Sequence, residues 1–431
     1  MSRLGDLKTI QSRDSVQELQ RKLYLKAKSD GKFRFYALYD KVYRRDFLMA
    51  AWKRVKENKG AGGIDGIEIE EVEAQGVEEF LTKITEEIRT EEYRPQPLKR
   101  VYIPKADGSK RPLSIPTVKD RVVQAALKLV IEPIFEADFE ENSYGFREKR
   151  STRDAAQEVT KYLNWGYTEV IETDIKDCFG QIPHKELIEA VARRVVDRRV
   201  LRLVKRMLKA GVMLEEEGRI ERKDNGTPQG GVISPLLANI YLDAIDKGWK
   251  PLNKVARLIR YADDIVILSK YKAEGYKKKL EQIIGGIKLE LKAEKTRIIK
   301  AQEGFDFLGF RFIKAKSRRT GKEAAFCYPS QKSERKIKER IREITNHRRP
   351  IKVEEIIKEL KPVIRGWVNY HRWSNASKKF GKIKFYTERR VRKLMRRRRG
   401  KSGYGYKEYP SEYLYKTIGL YNDYRIVWMN A

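Results

Sequence analysis

Arg257-Leu258-Ile259-Arg260-Tyr261, Ala262-Asp263-Asp264 and Ile265-Val266-Ile267-Leu268 follow one another without a gap. Two apolar runs of strand length flank a short polar tip, which predicts a β-hairpin with buried arms and acid at its turn. Upstream, Glu169 to Asp174 alternates like a further strand and belongs to Glu172-Thr173-Asp174-Ile175-Lys176-Asp177-Cys178-Phe179. A strand end and a neighbouring hairpin tip can present Asp174, Asp263 and Asp264 together at one edge of a sheet. Asp-Asp in a turn is common by itself, because Asp bonds its own backbone there. Three acids crowded together are another matter, since like charges resist joint ionisation unless a cation offsets them. Phosphoryl transfer to a hydroxyl uses that arrangement, with two divalent ions roughly 3.5–4 Å apart, one for the attacking oxygen and one for the leaving group. Magnesium favours carboxylate oxygen and keeps several waters, so bridging Asp residues and substrate phosphates suffice.

The flanking segments extend the pattern. Residues 1–60 read as basic helices with a break at Ser29-Asp30-Gly31, followed by the glycine-rich turn Gly60-Ala61-Gly62-Gly63-Ile64-Asp65-Gly66. Residues 101–105 and 111–116 read as strands joined across Asp107-Gly108, a basic hairpin. Thr117 can cap a helix whose Val123, Leu127, Val130, Ile131 and Ile134 recur at helical spacing. Residues 183–210 read as helical. Ser234 and Pro235 read as cap and first turn of another helix. A helix over about 272–285 and short strands including 305–313 close this half. The order predicts an α+β domain with helices on one face of an antiparallel sheet. From about residue 330 the character changes: residues 331–401 hold 26 Lys/Arg against 7 Asp/Glu and read as helices.

Composition points the same way. The 431 residues hold 95 Lys and Arg against 61 Asp and Glu, a net charge of +34. Ion pairing for heat resistance would enrich both signs, whereas here one sign dominates. A polyanionic partner is implied, because neutralising phosphates releases their counterions. No run has the length of an apolar membrane span, and the start MSRLGDLKTI has no apolar leader core. No membrane partner is expected, and the expected place is cytoplasmic, with association to the nucleoid. Cys178 and Cys327 alone give neither a disulfide framework nor a zinc motif.

Glu172-Thr173-Asp174-Ile175-Lys176-Asp177-Cys178-Phe179 and Tyr261-Ala262-Asp263-Asp264 resemble two signature blocks of the reverse-transcriptase palm. NKGAGGIDG (58–66), IPKADGSKRPLSIP (103–116), ENSYGFREKRST (141–152) and above all GTPQGGVISPLLANIYLD (226–243) resemble the group II intron-encoded proteins in particular. LKAEKT (291–296), GFDFLGFRF (304–312) and KPVIRGWVNYHRW (361–373) extend the likeness over about residues 50–390. The resemblance implies a right-hand polymerase, with fingers and palm over 61–315 behind an N-terminal helical extension, 1–60. It further implies a helical thumb and maturase domain over 316–395 and a basic DNA- or RNA-binding segment over 396–431. By the same likeness Asp174, Asp263 and Asp264 are the catalytic acids. With the Ile175 carbonyl they ligate two Mg²⁺ ions, for which Mn²⁺ can substitute. Lys105, Arg111, Phe179, Gln229 and Lys295 are implied as deoxynucleotide contacts: Arg111 as a charge-assisted fork on the triphosphate, Phe179 as the ring that excludes a 2′-hydroxyl, Lys295 as an acid for pyrophosphate.

The implied activity is an RNA-directed DNA polymerase that extends a DNA or RNA primer on an RNA template, binds group II intron RNA and assists splicing and mobility. Target DNA is a further expected partner. Arg365 and Arg372 alternate with Trp367, Tyr370, His371 and Trp373 as RNA-contacting residues would; Trp367 is expected in the core. Arg396-Arg397-Arg398-Arg399 reads as a phosphate-contacting arm. Many relatives add an endonuclease with His and paired cysteines; with His184, His347 and His371 and no CxxC, none is expected here. Two other readings stand beside the main one: a splicing cofactor with a retired polymerase, and a relative serving DNA repair or CRISPR spacer acquisition.

Overall fold

A computed structural model describes residues 2–104, 110–214 and 217–427, with side chains from residue 15 onward. Eleven strands occur among them: β1 (Leu98–Pro104), β2 (Lys110–Ile115), β3 (Glu169–Asp174), β4 (Val212–Leu214), β5 (Arg219–Glu221), β6 (Ala256–Tyr261), β7 (Asp264–Ser269), β8 (Arg297–Lys300), β9 (Phe305–Phe307), β10 (Phe310–Lys316) and β11 (Glu323–Pro329). They form three sheets, in the orders β2-β1-β4-β5, β6-β7-β3-β8 and β11-β10-β9. The central sheet, β6-β7-β3-β8, is wholly antiparallel. The first sheet contains one parallel pair, β1 with β4.

The expectation of helices on one face of the sheet is corrected: the central sheet is covered on both. Ile171, Leu258, Ile265 and Ile267 point into a core shared with the helices Val118–Glu136 and Ser234–Trp249. Val170, Ile259, Val266 and Leu268 point the other way, into a core with Ala155, Val159 and Leu163 of the helix Thr152–Asn164. Because side chains alternate along a strand, burial on both faces requires an unbroken apolar run rather than an alternating one. That is why 265–268 reads Ile-Val-Ile-Leu, with all four side chains fully buried. Each such residue is worth roughly 1.5–3 kcal/mol of transfer free energy, so this hairpin is firmly held before any charge is considered.

Thr117 caps as expected, its hydroxyl accepting the Asp120 N–H. Two helix expectations change. Residues 183–210 form two helices, His184–Ala192 and Arg198–Leu208. Between them Asp197 accepts N–H bonds from Leu38 and Tyr39, each at 2.9 Å, and from Arg199 at 3.0 Å. A carboxylate committed to the N-terminal segment breaks the helix there. Ser234 does not cap its helix: it is already helical, and its N–H bonds the Gly231 carbonyl at 3.3 Å.

The basic C-terminal part forms the helices Gln331–Ile344, Val353–His371 and Ser377–Arg398. Ile341, Ile356, Leu360, Ile364, Phe380 and Val391 build their common core. The tail after residue 400 packs Tyr409, Leu414, Leu420 and Tyr421 onto it. Strand β11, paired with β10, lies wholly beyond the expected boundary at 316, and the last helix runs through the one at 396. Among the described residues no helix is long and apolar enough to cross a membrane.

Candidate active site

The ladder between β3 and β7 ends with Asp174 directly opposite Asp264. Facing residues of an antiparallel pair share one side of the sheet, with Cβ atoms about 5 Å apart. The Ile175 N–H then bonds the Asp263 carbonyl at 3.3 Å. Between Tyr261 and Asp264, which pair in register, only Ala262 and Asp263 remain to turn the chain. So tight a hairpin loop needs positive φ at its first residue, and Ala262 has φ +56°. The three acids that lie far apart in sequence therefore meet at one edge of the central sheet.

Their environment is costly for charge. Burial, then the charges of Asp263 and Asp174, raise the Asp264 carboxyl to about 6. Burial and the neighbouring Asp174 raise Asp263 as well. Asp174 Oδ1 is buried with no hydrogen-bond partner, while Oδ2 takes an ion pair from the Lys295 ammonium. That bond in turn raises the Lys295 pKa. Lys295 is held in place by its neighbours, since Thr296 Oγ1 meets Thr173 Oγ1 at 2.7 Å and the Lys292 N–H bonds the Asp174 carbonyl at 2.8 Å. An orphaned carboxylate oxygen, two carboxyls lifted by burial and then by their acidic neighbours, and one ammonium drawn in all fit a site for hard cations. Among the described residues no three ligating side chains converge into a ready-made cage; substrate phosphates and waters complete magnesium sites of this kind.

Beside the acids lies a cavity of about 590 Å³, walled by Asp174, Asp264 and Lys295 on one side and by Lys332, Lys336 and Tyr370 of the helical part on the other. Lys332 and Lys336 are ordinary helix-surface types that the sequence pattern does not mark, whereas Tyr370 belongs to the alternation of aromatic residues and arginines noted above.

The other expected contacts divide. Arg111 is exposed on β2, and its charge offsets a part of the rise that burial and Asp174 impose on the Asp263 carboxyl. Lys105 lies outside the described residues. Phe179 stands half-buried on the short helix Cys178–Gln181, edge-to-face with Phe146 at 6.3 Å. Its carbonyl accepts the Thr227 N–H at 2.6 Å, and the Gln229 carbonyl accepts the Ser114 N–H at 2.6 Å. These bonds tie the 227–230 loop between the first sheet and the Phe179 helix. Gly230 has φ +116°, and a Cβ there would stand 2.4 Å from the Ser114 carbonyl oxygen, so no other residue fits.

Arg365, Arg372 and the run from Arg396 to Arg399 are in the helical part. The expected arm is instead the last turn of the helix Ser377–Arg398 and the residue after it. Clustered arginines suit a helix C-terminus, where the backbone dipole is negative. Arg396 is engaged by Glu408 at 2.8 Å, Arg398 by the Arg349 carbonyl at 2.9 Å and Arg372 by Asp423 at 2.9 Å. Arg365, Arg397 and Arg399 are exposed. His371 is buried, its Nε2 3.0 Å from Ser333 Oγ, and burial alone lowers its pKa to about 3. His371 and Trp373 pack on Phe310, so their rings serve the junction with β10. Trp367 is only half-buried, its indole N–H donating to Ser333 Oγ at 3.0 Å.

A polar cluster beneath the tip also escaped the sequence reading. Arg260 and Asp246 are fully buried and paired, and Asn239, Asn142 and Ser143 surround them. The available signals were Arg260 inside an apolar strand, and Asn239 and Asp246 seven residues apart on one face of an apolar helix.

With this geometry in view, residues 103–312 match the family described as reverse transcriptase (RNA-dependent DNA polymerase). Residues 334–409 match the maturase-specific domain of group II introns. The chain is similar to protein YkfC of Escherichia coli K12, at 33% identity over 74% of this chain and 93% of that protein. It is similar to the group II intron-encoded protein LtrA of Lactococcus lactis subsp. cremoris, at 31% identity over 64% of this chain and 56% of LtrA, so it spans about half the length of that relative. An uncharacterised 91 kDa protein in the cob intron of Schizosaccharomyces pombe is 36% identical over 48% of this chain and 25% of that protein. These matches define a reverse transcriptase, an RNA-directed DNA polymerase, an enzyme class that depends on divalent metal. The chain belongs to the group II intron reverse transcriptase and maturase family.

Proposed function

We propose that Asp174, Asp263 and Asp264 are the catalytic acids of an RNA-templated, primer-extending polymerase. The observation that carries this reading is the register that sets Asp174 opposite Asp264, with Asp263 at the adjoining tip. Two magnesium ions, or manganese in their place, would there activate the primer hydroxyl and offset charge on the departing pyrophosphate. Asp174 would offer its unpartnered Oδ1, and the carbonyl of Ile175, the next residue in the chain, would complete the set. Lys295 neutralises Asp174 in the resting site and, released from it, stands ready to donate a proton to pyrophosphate. The site keeps three acids at an electrostatic cost, which argues against a retired polymerase.

In right-hand terms the β1–β2 hairpin supplies the fingers, the central sheet the palm, and the helices after residue 330 the thumb and maturase domain. Arg111, with Lys105, contacts the triphosphate of the incoming deoxynucleotide. Gln229 stands near the nascent pair. The cavity between Asp264 and Lys332, Lys336 and Tyr370 holds the primer end, because cationic groups face the acids across it. The excess of basic residues, concentrated after residue 330, serves the template and group II intron RNA, whose splicing and mobility the protein assists. The reading is tested by primer extension on an RNA template with magnesium, beside binding of the RNA that flanks the gene. Absence of both activities would overturn it.

Phe179 is proposed to exclude the 2′-hydroxyl by its bulk. Phe179→Ala is expected to raise ribonucleotide incorporation relative to deoxynucleotide by about ten- to two-hundred-fold, the range that removal of a few contacting carbons gives. Unchanged discrimination in competitive single-nucleotide extension would place the gate elsewhere. For the basic helix end, the exposed pair Arg397 and Arg399 is the informative target. Replacing both with Gln should reduce the slope of log affinity against log salt by about 1.4, two phosphates at about 0.7 each on single-stranded RNA. A parent-like slope would mean that neither residue meets phosphate.

A further inference from the structure

Arg260 lies one residue before the Tyr261-Ala262-Asp263-Asp264 turn and is fully buried. A charge in such a place demands complete pairing. Its Nε bonds both oxygens of the equally buried Asp246, at 3.1 and 3.0 Å, and Nη2 completes a fork on the same carboxylate. The remaining donors are spent on the turn and its neighbours. Nη1 reaches the Ala262 carbonyl at 3.1 Å and Asn239 Oδ1 at 3.1 Å, and Nη2 also reaches Ser143 Oγ at 2.8 Å.

A second strand of contacts presses on the same turn from outside. The Tyr144 N–H donates to the Arg260 carbonyl and the Arg260 N–H to the Asn142 carbonyl, each at 2.9 Å. Asn239 closes the circuit, its Nδ2 donating to the Gly145 carbonyl at 2.8 Å. Gly145 lies flat on the tip, where a methyl group would stand 2.4 Å from the Ala262 nitrogen. Ala262 holds a left-handed conformation that L-residues adopt only under constraint. The tight hairpin asks for this conformation, and beside the Tyr261–Asp264 pairing and the Ile175 bond to the tip, the contacts that hold it run through Arg260 and the segment it anchors.

We infer that Arg260 is a positioning residue for catalysis, its guanidinium, fixed by Asp246 and Asn239, setting the left-handed turn at Ala262 that aims Asp263 and Asp264. A core filler would need no donor aimed at the turn carbonyl. The inference rests on the catalytic reading of those two acids, and amide exchange of the substrate-free, metal-free protein distinguishes a failure of one from a failure of the other.

Arg260→Met combined with Asp246→Leu removes both charges together, so no buried charge is stranded; such exchanges often leave stability intact. The full-length double variant is expected to melt near the parent temperature. Its amides at 261–264 should exchange faster while the β3 and β7 cores stay protected. Its kcat in primer extension should fall by about a hundred-fold, as small misplacements of reacting groups do, with the KM for deoxynucleotide and the RNA affinity unchanged. Parent-like kcat and exchange at the tip would overturn the inference. So would a loss of kcat matched by a loss of RNA affinity and by global exchange. Faster exchange at the tip with unchanged kcat would retain the clamp and reject the catalytic reading of the acids. If the double variant fails to fold, Asn239→Ala, which leaves the ion pair in place, decides: a fall in kcat at constant KM supports the inference and an unchanged kcat overturns it.

Discussion

Asp263→Asn is expected to abolish cDNA synthesis, lowering kcat on the order of a thousand-fold or more, while RNA binding stays at the parent level. The size follows from the several kcal/mol of charge stabilisation that divalent ions supply, at tenfold per about 1.4 kcal/mol. Asn keeps the shape and the turn but withdraws the negative charge. Asp263 sits at a two-residue tip between paired strands whose residues Leu258 to Arg260 and Ile265 to Ser269 are buried, so the exchange leaves the fold undisturbed. RNA affinity should hold because the cationic surface lies elsewhere, chiefly after residue 330. Gel-based primer extension, paired with equilibrium binding of the same RNA, reads both quantities. Retained extension by a folded Asp263→Asn protein would refute the assignment of this acid.

Asp264→Asn is expected to stabilise the metal-free protein at pH 8. Burial, reinforced by Asp263 and Asp174, lifts this carboxyl from an ordinary 3.8 to about 6. A group with a raised folded-state pKa holds its proton more tightly in the folded chain than in the unfolded one. Its favourable contribution is complete below about pH 4, declines between about 4 and 6, and above that range leaves an ionised, repelled carboxylate. A rise of that size bounds the relief at about 3 kcal/mol. Thermal melts in chelator should show the variant above the parent at pH 8 and level with it near pH 4. Saturating magnesium should reverse the order at pH 8, because the parent alone gains full binding energy. A variant less stable than the parent at pH 8 in chelator would show that Asp264 ionises there without strain.

The acids were legible because their signal is local: an apolar run, an acid and a tight turn fix both strand and tip, and register then determines which side chains face each other. Two-sided coverage of the sheet was written in Ile265-Val266-Ile267-Leu268, whose lack of polar alternation was read for strand but not for burial on both faces. Asp197 misled in the opposite direction. Its partners, Leu38 and Tyr39, are distant in sequence, so nothing nearby in the chain announces that the helix must stop. The arginines at 396–399 looked like an arm because composition records charge and not the Glu408 and Arg349 groups that occupy two of them. The clamp around Arg260 draws on three separate segments, and only a folded chain shows that they meet.

The pairing of β1 with β4 makes the basic hairpin something other than a free flap. Its root is bonded to Gly211 through the Leu98 N–H, and Ser114 on β2 is bonded to Gln229. A swing of the hairpin must therefore drag the loop around Gln229 along with it. Grip on the tail of an incoming nucleotide and inspection of its head would then be strokes of a single lever, unable to fall out of step.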